Sequence, residues 1–208
     1  PRTSSAASDV YKRQTIPLVQ FAVLYRHGEQ IPMSTRSGSF VTLRQLREEV
    51  GVNATRFFYV MRKCEQHLDF DLDLAKSQSN ENPVYYIQYA HARICSIYRK
   101  LGDYHWQYDQ EMGLGHLSVL DSPYDEELIA HLRRFPELID QCSKNLEVHS
   151  IVYYLKKLAQ LFHAYYNVSP ILIEDPISRN ARLCLIDAVR QVIQNGFRLL
   201  AIDCPEEM

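Results

Sequence analysis

The stretch "EVHSIVYYLKKLAQLFHAYY", residues 147–166, decides the fold class. Val148, Ile151, Val152, Leu155, Leu158, Ala159, Phe162 and Tyr165 recur at the i, i+3, i+4, i+7 spacing that draws one apolar stripe along an α-helix. A stripe that long must be covered by other elements, so the segment is expected to be the core helix of a bundle. Upstream, "PVYYIQYAHARICSIYRKL" (83–101) repeats the pattern, with Asn82 as N-cap, Pro83 at the first helical position, and Leu101-Gly102 at the end. Its apolar face is Ile87, Ala90, Ile94, Ile97 and Leu101, while Tyr86, Tyr89 and Arg93 line a different face. Downstream, "ARLCLIDAVRQVIQN" reads as a last helix that ends at Gly196.

Helical signals begin at Thr42, which with Gln45 makes a capping box for "LRQLREEV" that Gly51 closes. Asn53 is expected to cap "ATRFFYVMRK", Ser122-Pro123 to start a further helix, and Pro136 to separate it from the next. Before Thr42 the chain reads as a strand, "TIPLVQFAVLYR", a turn at His27-Gly28-Glu29, and a second short strand at Ser39-Phe40-Val41. The expected class is therefore mainly all-α: a helical bundle preceded by a short strand-loop segment.

With 208 residues, 46% of them hydrophobic, the chain can build one ordinary core. No apolar run reaches the ~18 residues of a membrane span, so no membrane partner is expected. The net charge of -2 excludes a strongly basic nucleic-acid coat, so any RNA contact must be focused, and no DNA partner is expected. Five widely spaced cysteines without a C-x-x-C pair read as reduced thiols of a cytoplasmic protein. The first stretch, residues 1–14, is rich in Ser and Ala and has no apolar period; it reads as a non-native or disordered leader.

Arg26-His27-Gly28 raises a catalytic alternative, since histidine phosphatases present a nucleophilic imidazole in such a tripeptide. That chemistry also needs a cluster of guanidinium groups and a separate acid. Their R-H-G-x-R-x-P signature would place a second arginine where Gln30 stands, and no histidine here is directly followed by Asp or Glu. A histidine in a turn between strands accounts for His27 more simply, which leaves the phosphatase a remote alternative.

The run from "MSTRSGSFVTLRQLREEV" through "QSNENPVYYIQYAHARI", continuing through "LAQLFHAYYN" and "ARLCLIDAVRQVI" to "PEEM", closely resembles the arginyl-tRNA synthetases. The resemblance spans residues 15–208 and implies two parts: residues 15–64 as the C-terminal end of a Rossmann-like class I catalytic domain, and residues 65–208 as an anticodon-binding helical domain. In class I synthetases a K-M-S-K-S loop grips the ATP phosphates. Here Met33 and Ser34 match it, Pro32 and Thr35 stand at its lysine positions, and Arg36 is the nearby cation. Asp187-Ala188-Val189-Arg190 is similar to the D-A-L-R signature of the anticodon-binding domain.

The resemblance implies that Tyr86, Tyr89 and Arg93 face the anticodon loop of tRNA(Arg). Aromatic rings beside a guanidinium suit unstacked RNA bases. Asn80 and Asn82, in the loop before the helix, together with Tyr166 and Met208, are implied as further contacts. ATP and Mg2+ are implied for the full-length enzyme, with the preceding catalytic domain as a partner in cis. No H-I-G-H-like tetrapeptide occurs in the chain, so these residues alone are expected to be catalytically incomplete. A non-catalytic helical RNA-binding or scaffold module is the alternative. His91 and His163 are expected to be satisfied core histidines, Trp106 a packing residue, and no metal ligands are expected.

Overall fold

The structure is a computed structural model that describes residues 18–33 and 40–208. Strand β1 (Ala22–Arg26) turns back into β2 (Glu29–Gln30) through His27-Gly28, and both turn residues have positive φ, 54° and 77°. Two consecutive left-handed residues are what a tight two-residue hairpin requires, because they match the right-handed twist of the strands. His27 thus serves as a turn residue: its backbone N–H donates to Asp73 Oδ2 at 2.5 Å and its side chain stays 82% exposed. The neighbouring Arg26 is held by Glu49 at 2.8 Å, so no guanidinium cluster forms around the imidazole among the described residues.

On its other edge β1 pairs in parallel with β3 (Leu68–Asp71), giving a three-stranded sheet of order β2-β1-β3. This corrects the expectation of continuous helix after Val41. The alternation that builds β3 is present in "LDFDLD", where Leu68, Phe70 and Leu72 are buried and Asp69, Asp71 and Asp73 are not. The expected strand at residues 39–41 is also corrected: Ser39 lies outside the described residues, and Phe40 and Val41 are not in a strand. Because β3 lies beyond residue 64 and β1 before it, the sheet takes strands from both sides of the expected boundary at 64/65.

Two helices cross between the paired strands, α1 (Leu43–Val50) and α2 (Val52–Val60). The capping box of Thr42 and Gln45 forms as expected, and Gly51, at φ 86°, both ends α1 and starts α2. Asn53 is not the N-cap. It sits in the first turn of α2, and its side chain is engaged by Asp203, with Asp203 N–H donating to its Oδ1 at 3.1 Å. Behind the sheet, α3 (Leu72–Lys76) is capped by Asp71, and Lys76 reaches Glu49 at 2.5 Å. That hydrogen bond from Lys76, with the charge of Arg26, holds the Glu49 carboxyl below the usual range.

The bundle follows: α4 (Pro83–Lys100), α5 (Gln110–Gly115), α6 (Pro123–Arg133), α7 (Phe135–Asn145), α8 (His149–Val168) and α9 (Pro176–Leu199). The expected apolar face of α4 is buried throughout, from Ile87 to Leu101. The stripe of α8 is buried from Ile151 to Tyr165, each large side chain contributing roughly 1.5–3 kcal/mol of burial. Val148 departs from that stripe, since it is the N-cap residue rather than part of the helix and is 44% exposed.

Helix α9 starts earlier than expected, at Pro176 behind the N-cap Asp175, and runs past Gly196 to Leu199. Gly196 is therefore not a terminator. A Cβ there would stand 2.7 Å from Leu155 Cδ2, so glycine is what lets α9 approach α8 closely. The core is contiguous: Leu24, Phe57 and Phe70 of the sheet end join Ile87, Leu155, Phe162 and Phe197 of the bundle.

Candidate nucleic-acid interface

Helix α4 is set by both of its ends. Asn82 Oδ1 accepts from Val84 N–H at 3.3 Å, and Pro83 needs no donor partner at the first helical position. The amide of Asn82 donates to the carbonyls of Ala75 at 3.2 Å and Ser77 at 2.8 Å, and the residue is 3% exposed. Its side chain is thus occupied in joining α3 to α4, which leaves Asn80 as the exposed asparagine of that loop.

The Tyr86, Tyr89 and Arg93 face of α4 lies against α8. The Arg93 guanidinium carbon stands 4.5 Å from the ring centre of Tyr89 and 4.8 Å from that of Tyr166, so the cation is flanked by one aromatic from each helix. Arg93 Nη2 donates to Tyr89 Oη at 2.5 Å, and Arg93 Nη1 donates to His163 Nδ1 at 3.2 Å. The His163 ring lies 4.7 Å from that of Tyr86 and 5.7 Å, nearly parallel, from that of Tyr89. The structure therefore brings Tyr86, Tyr89, Arg93 and Tyr166 into one cluster, all four partly accessible.

Two residues of this cluster are not legible from the helix pattern. Tyr85 stacks on Tyr89 with ring centres 6.3 Å apart and planes 6° from parallel, extending the aromatic surface outward. The Tyr85-Tyr86 doublet and the i, i+4 spacing to Tyr89 are the signal that marks it. His163, expected to be a satisfied core histidine, is buried but not satisfied: its Nε2 has no hydrogen-bond partner among the described residues. Burial first, then the charge of Arg93, depress its pKa to about 4, with the Tyr86 carbonyl working weakly the other way.

His91, the other expected core histidine, is satisfied on both nitrogens. Its Nδ1 bonds the Pro205 carbonyl at 2.8 Å and its Nε2 meets Gln194 at 2.9 Å, while burial lowers its pKa. The bond to Pro205 belongs to a strap formed by the tail, and the one to Gln194 reaches α9. Gln88 donates to the Asp203 carbonyl at 2.9 Å, and Arg99 donates to the Glu206 carbonyl at 3.3 Å and pairs with Glu207 at 3.6 Å. Met208 follows that strap with 52% exposure. At about 100° per residue, Gln88, His91 and Arg99 lie on a different flank of α4 from Tyr89 and Arg93. The contacts therefore do not bring Met208 into the Tyr89–Arg93 cluster.

The Asp187-Ala188-Val189-Arg190 run points inward. Arg190 donates to Asp187 Oδ1 at 2.6 and 2.9 Å and lies 5.8 Å from the ring of Tyr98, which itself donates to the Leu183 carbonyl at 2.8 Å. These residues fasten α9 to α4. Trp106 packs as expected, between Tyr104 at 4.6 Å and the guanidinium of Arg179 at 4.1 Å. Of the loop expected to grip phosphates, Ser34, Thr35 and Arg36 lie outside the described residues, and Met33 is half-exposed, its sulfur 3.5 Å from Val41 N. Among the described residues no group of acidic, His or Cys side chains could hold a metal ion.

A helical, aromatic-and-arginine surface with a signature fastening two of its helices has a known counterpart. The pattern of the DALR anticodon binding domain matches residues 87–208. The chain belongs to that family. Its DALR region and the strand-loop part before it are together similar to the arginine-tRNA ligase of Coxiella burnetii, at 58% identity over 93% of this chain and 33% of that protein. Among solved structures, the arginyl-tRNA synthetase of Thermus thermophilus aligns with TM-score 0.70 and 26% identity, over 89% of this chain and 34% of its own. A Campylobacter jejuni chain aligns with TM-score 0.81 and 28% identity, over 92% of this chain and 40% of its own. The DALR chain described here thus spans about a third of the length of the curated relatives it matches.

Proposed function

We propose that this chain is the C-terminal portion of an arginine-tRNA ligase and that it binds the anticodon loop of tRNA(Arg) for ATP-dependent arginylation in the cytoplasm. The observation that carries the reading is the cluster on α4 and α8, in which Arg93 is flanked by Tyr89 and Tyr166 with Tyr85 stacked outside. Stacked rings accept any base, and a fixed guanidinium adds directional donors to phosphate or base edges. Tyr86 supports the cluster, Asn80 is the loop residue available to the backbone, Asn82 serves the site through the loop it anchors, and Met208, 52% exposed beyond the strap, is a separate contact outside the cluster.

In this reading the catalytic part expected over residues 15–64 extends through β3 to Asp71, because β3 pairs with β1, with Met33, Ser34, Thr35 and Arg36 as the loop on the ATP phosphates and the preceding catalytic domain as a partner in cis. ATP and Mg2+ belong to the full-length enzyme, and no catalytic step is derived for the residues present. A chain without a H-I-G-H-like tetrapeptide should show no arginine-dependent ATP-pyrophosphate exchange. Measurable exchange by the purified chain would contradict that division. No helix among the described residues is long and apolar enough to cross a membrane.

The deciding experiment is a titration of the purified chain against tRNA(Arg) and against the same tRNA with its middle anticodon base changed. Tighter binding of the first is expected. Equal binding of both would favour the scaffold alternative.

A further inference from the structure

An arginine on a helix surface ordinarily samples many rotamers, yet Arg93 is fixed from three sides. Tyr89 lies four residues earlier on the same helix, and Tyr166 and His163 reach it from α8. The two rings confine the guanidinium from its faces. Two directional bonds hold it as well: Tyr89 Oη accepts from Nη2 at 2.5 Å on a partly exposed side chain, and His163 Nδ1 accepts from Nη1 on a residue that is 8% exposed and cannot swing aside.

An arginine can only donate, so the Nδ1 of His163 must present its lone pair and the ring hydrogen must sit on Nε2. Burial and the Arg93 charge keep the ring neutral at ordinary pH, with its pKa at about 4. That arrangement leaves the Nε2–H, beside Tyr86 and Phe162, without a hydrogen bond of normal geometry among the described residues, the Tyr86 carbonyl being the least of the influences on the ring. A buried, unpartnered donor is costly. A leucine would fill the space without that cost, so the polarity of residue 163 finds its use in Arg93.

With the tRNA-binding reading of α4 as its basis, we infer that His163 is a positioning residue: its Nδ1 sets the plane of the Arg93 guanidinium so that the N–H groups left over face the RNA. His163 itself touches no RNA in this scheme. The δ position is the one that matters. An asparagine at 163 places an amide oxygen on the same branch as Nδ1, whereas a glutamine places its amide near the site of Nε2.

The test uses the full chain with three variants, His163→Leu, His163→Asn and His163→Gln, each also made with Arg93→Ala and checked for folding by circular dichroism. Each is titrated against tRNA(Arg) and the tRNA with the changed middle base. His163→Leu and His163→Gln should weaken binding of tRNA(Arg) roughly tenfold, as loss of one charge-assisted hydrogen bond does. His163→Asn should stay within about threefold of the parent, and none of the three should change binding further once Arg93 is alanine.

A folded His163→Leu chain that binds like the parent overturns the inference. So does an asparagine variant as weak as the leucine one, or losses at residues 93 and 163 that multiply. A measurement without RNA separates this inference from the reading beneath it: the imidazole 15N shifts of His163 in the parent should report hydrogen on Nε2 and a bare Nδ1. A hydrogen on Nδ1 overturns the positioning role whatever the tRNA does. A parent chain that fails to bind tRNA(Arg) overturns the proposed function, and the 15N shifts then decide the role of His163.

Discussion

The two flanks of α4 carry one buried histidine contact each, and they differ in what is left over. On the flank of Gln88, His91 and Arg99, every polar reach ends on the tail or on α9: His91 has Pro205 and, on α9, Gln194, Gln88 has Asp203, and Arg99 has Glu206. On the flank of Tyr89 and Arg93, two donations go inward, to Tyr89 and His163, and the remaining guanidinium N–H groups and the outer ring of Tyr85 stay available. A surface whose hydrogen bonds close on themselves is built to hold its own chain. One that is rigid but incompletely satisfied is built to hold something else.

That contrast predicts opposite signatures for substitutions on the two flanks. The largest effect is expected from His91→Leu, which removes a 0% exposed ring and with it the partner of the Pro205 carbonyl and the Gln194 amide, both on partly exposed residues. It should lower the unfolding free energy by roughly 1–3 kcal/mol in urea titration, the scale of net hydrogen bonds lost at part-buried groups. Binding measured on the remaining folded chain should keep its salt slope. A His91→Leu chain of parental stability would erase the distinction between the flanks.

On the other flank Tyr89→Ala should leave stability nearly unchanged yet weaken tRNA binding by roughly 1–3 kcal/mol, the scale of base stacking. Arg93→Ala should weaken binding as well and lower the slope of log affinity against log salt by about one, if the group meets a phosphate. Titrations over a range of salt concentrations measure both. Unfolding of either variant, with unchanged tRNA affinity, would make this flank structural like its neighbour.

Acid provides a further comparison. Both histidines have folded-state pKa values below the ordinary value of about 6.5, that of His163 at about 4. The stability they lend is therefore complete above about pH 6.5 and is lost as pH falls toward about 4, because the unfolded chain takes up the protons first. Urea midpoints should decline across that window, and less steeply for His163→Asn; a midpoint independent of pH from 7 to 4.5 would contradict the buried neutral rings. The smallest effect is expected for Lys157→Ala, whose exposed pair with Glu127 at 3.5 Å should change stability and binding by no more than ~0.5 kcal/mol.

What could be read before folding follows from sequence distance. Local rules of three to five residues were legible: the capping box at Thr42, the helix starts at Ser122-Pro123 and Pro83, the apolar face from Ile87 to Leu101, and the Tyr89 and Arg93 spacing on one helix. The hairpin at His27-Gly28 was legible as a turn, though its partner strand was misplaced. β3 went unread because four residues of alternation inside a helical neighbourhood are outweighed, and its partner lies more than forty residues away. Gly196 was misread because a glycine looks the same at a helix end and at a close approach, and only Leu155 tells them apart. The pairing of Arg93 with His163 crosses 70 residues, and the Asn53 contact with Asp203 crosses 150, so no periodicity could announce either.

The tail strap also has a consequence for synthesis. Residues 203–206 bond to Asn53, Gln88, His91 and Arg99, residues made far earlier in translation. A nascent polypeptide can assemble its sheet and most of its bundle while still attached to the ribosome, but His91 keeps an unmet ring nitrogen until Pro205 emerges. A message broken just before the codon for Asp203 would yield a product with nearly all its helices and an open seam along α4. Such a product is a ready target for the proteases that survey new proteins, so translation through residues 203–206 is written into the stability of the finished domain.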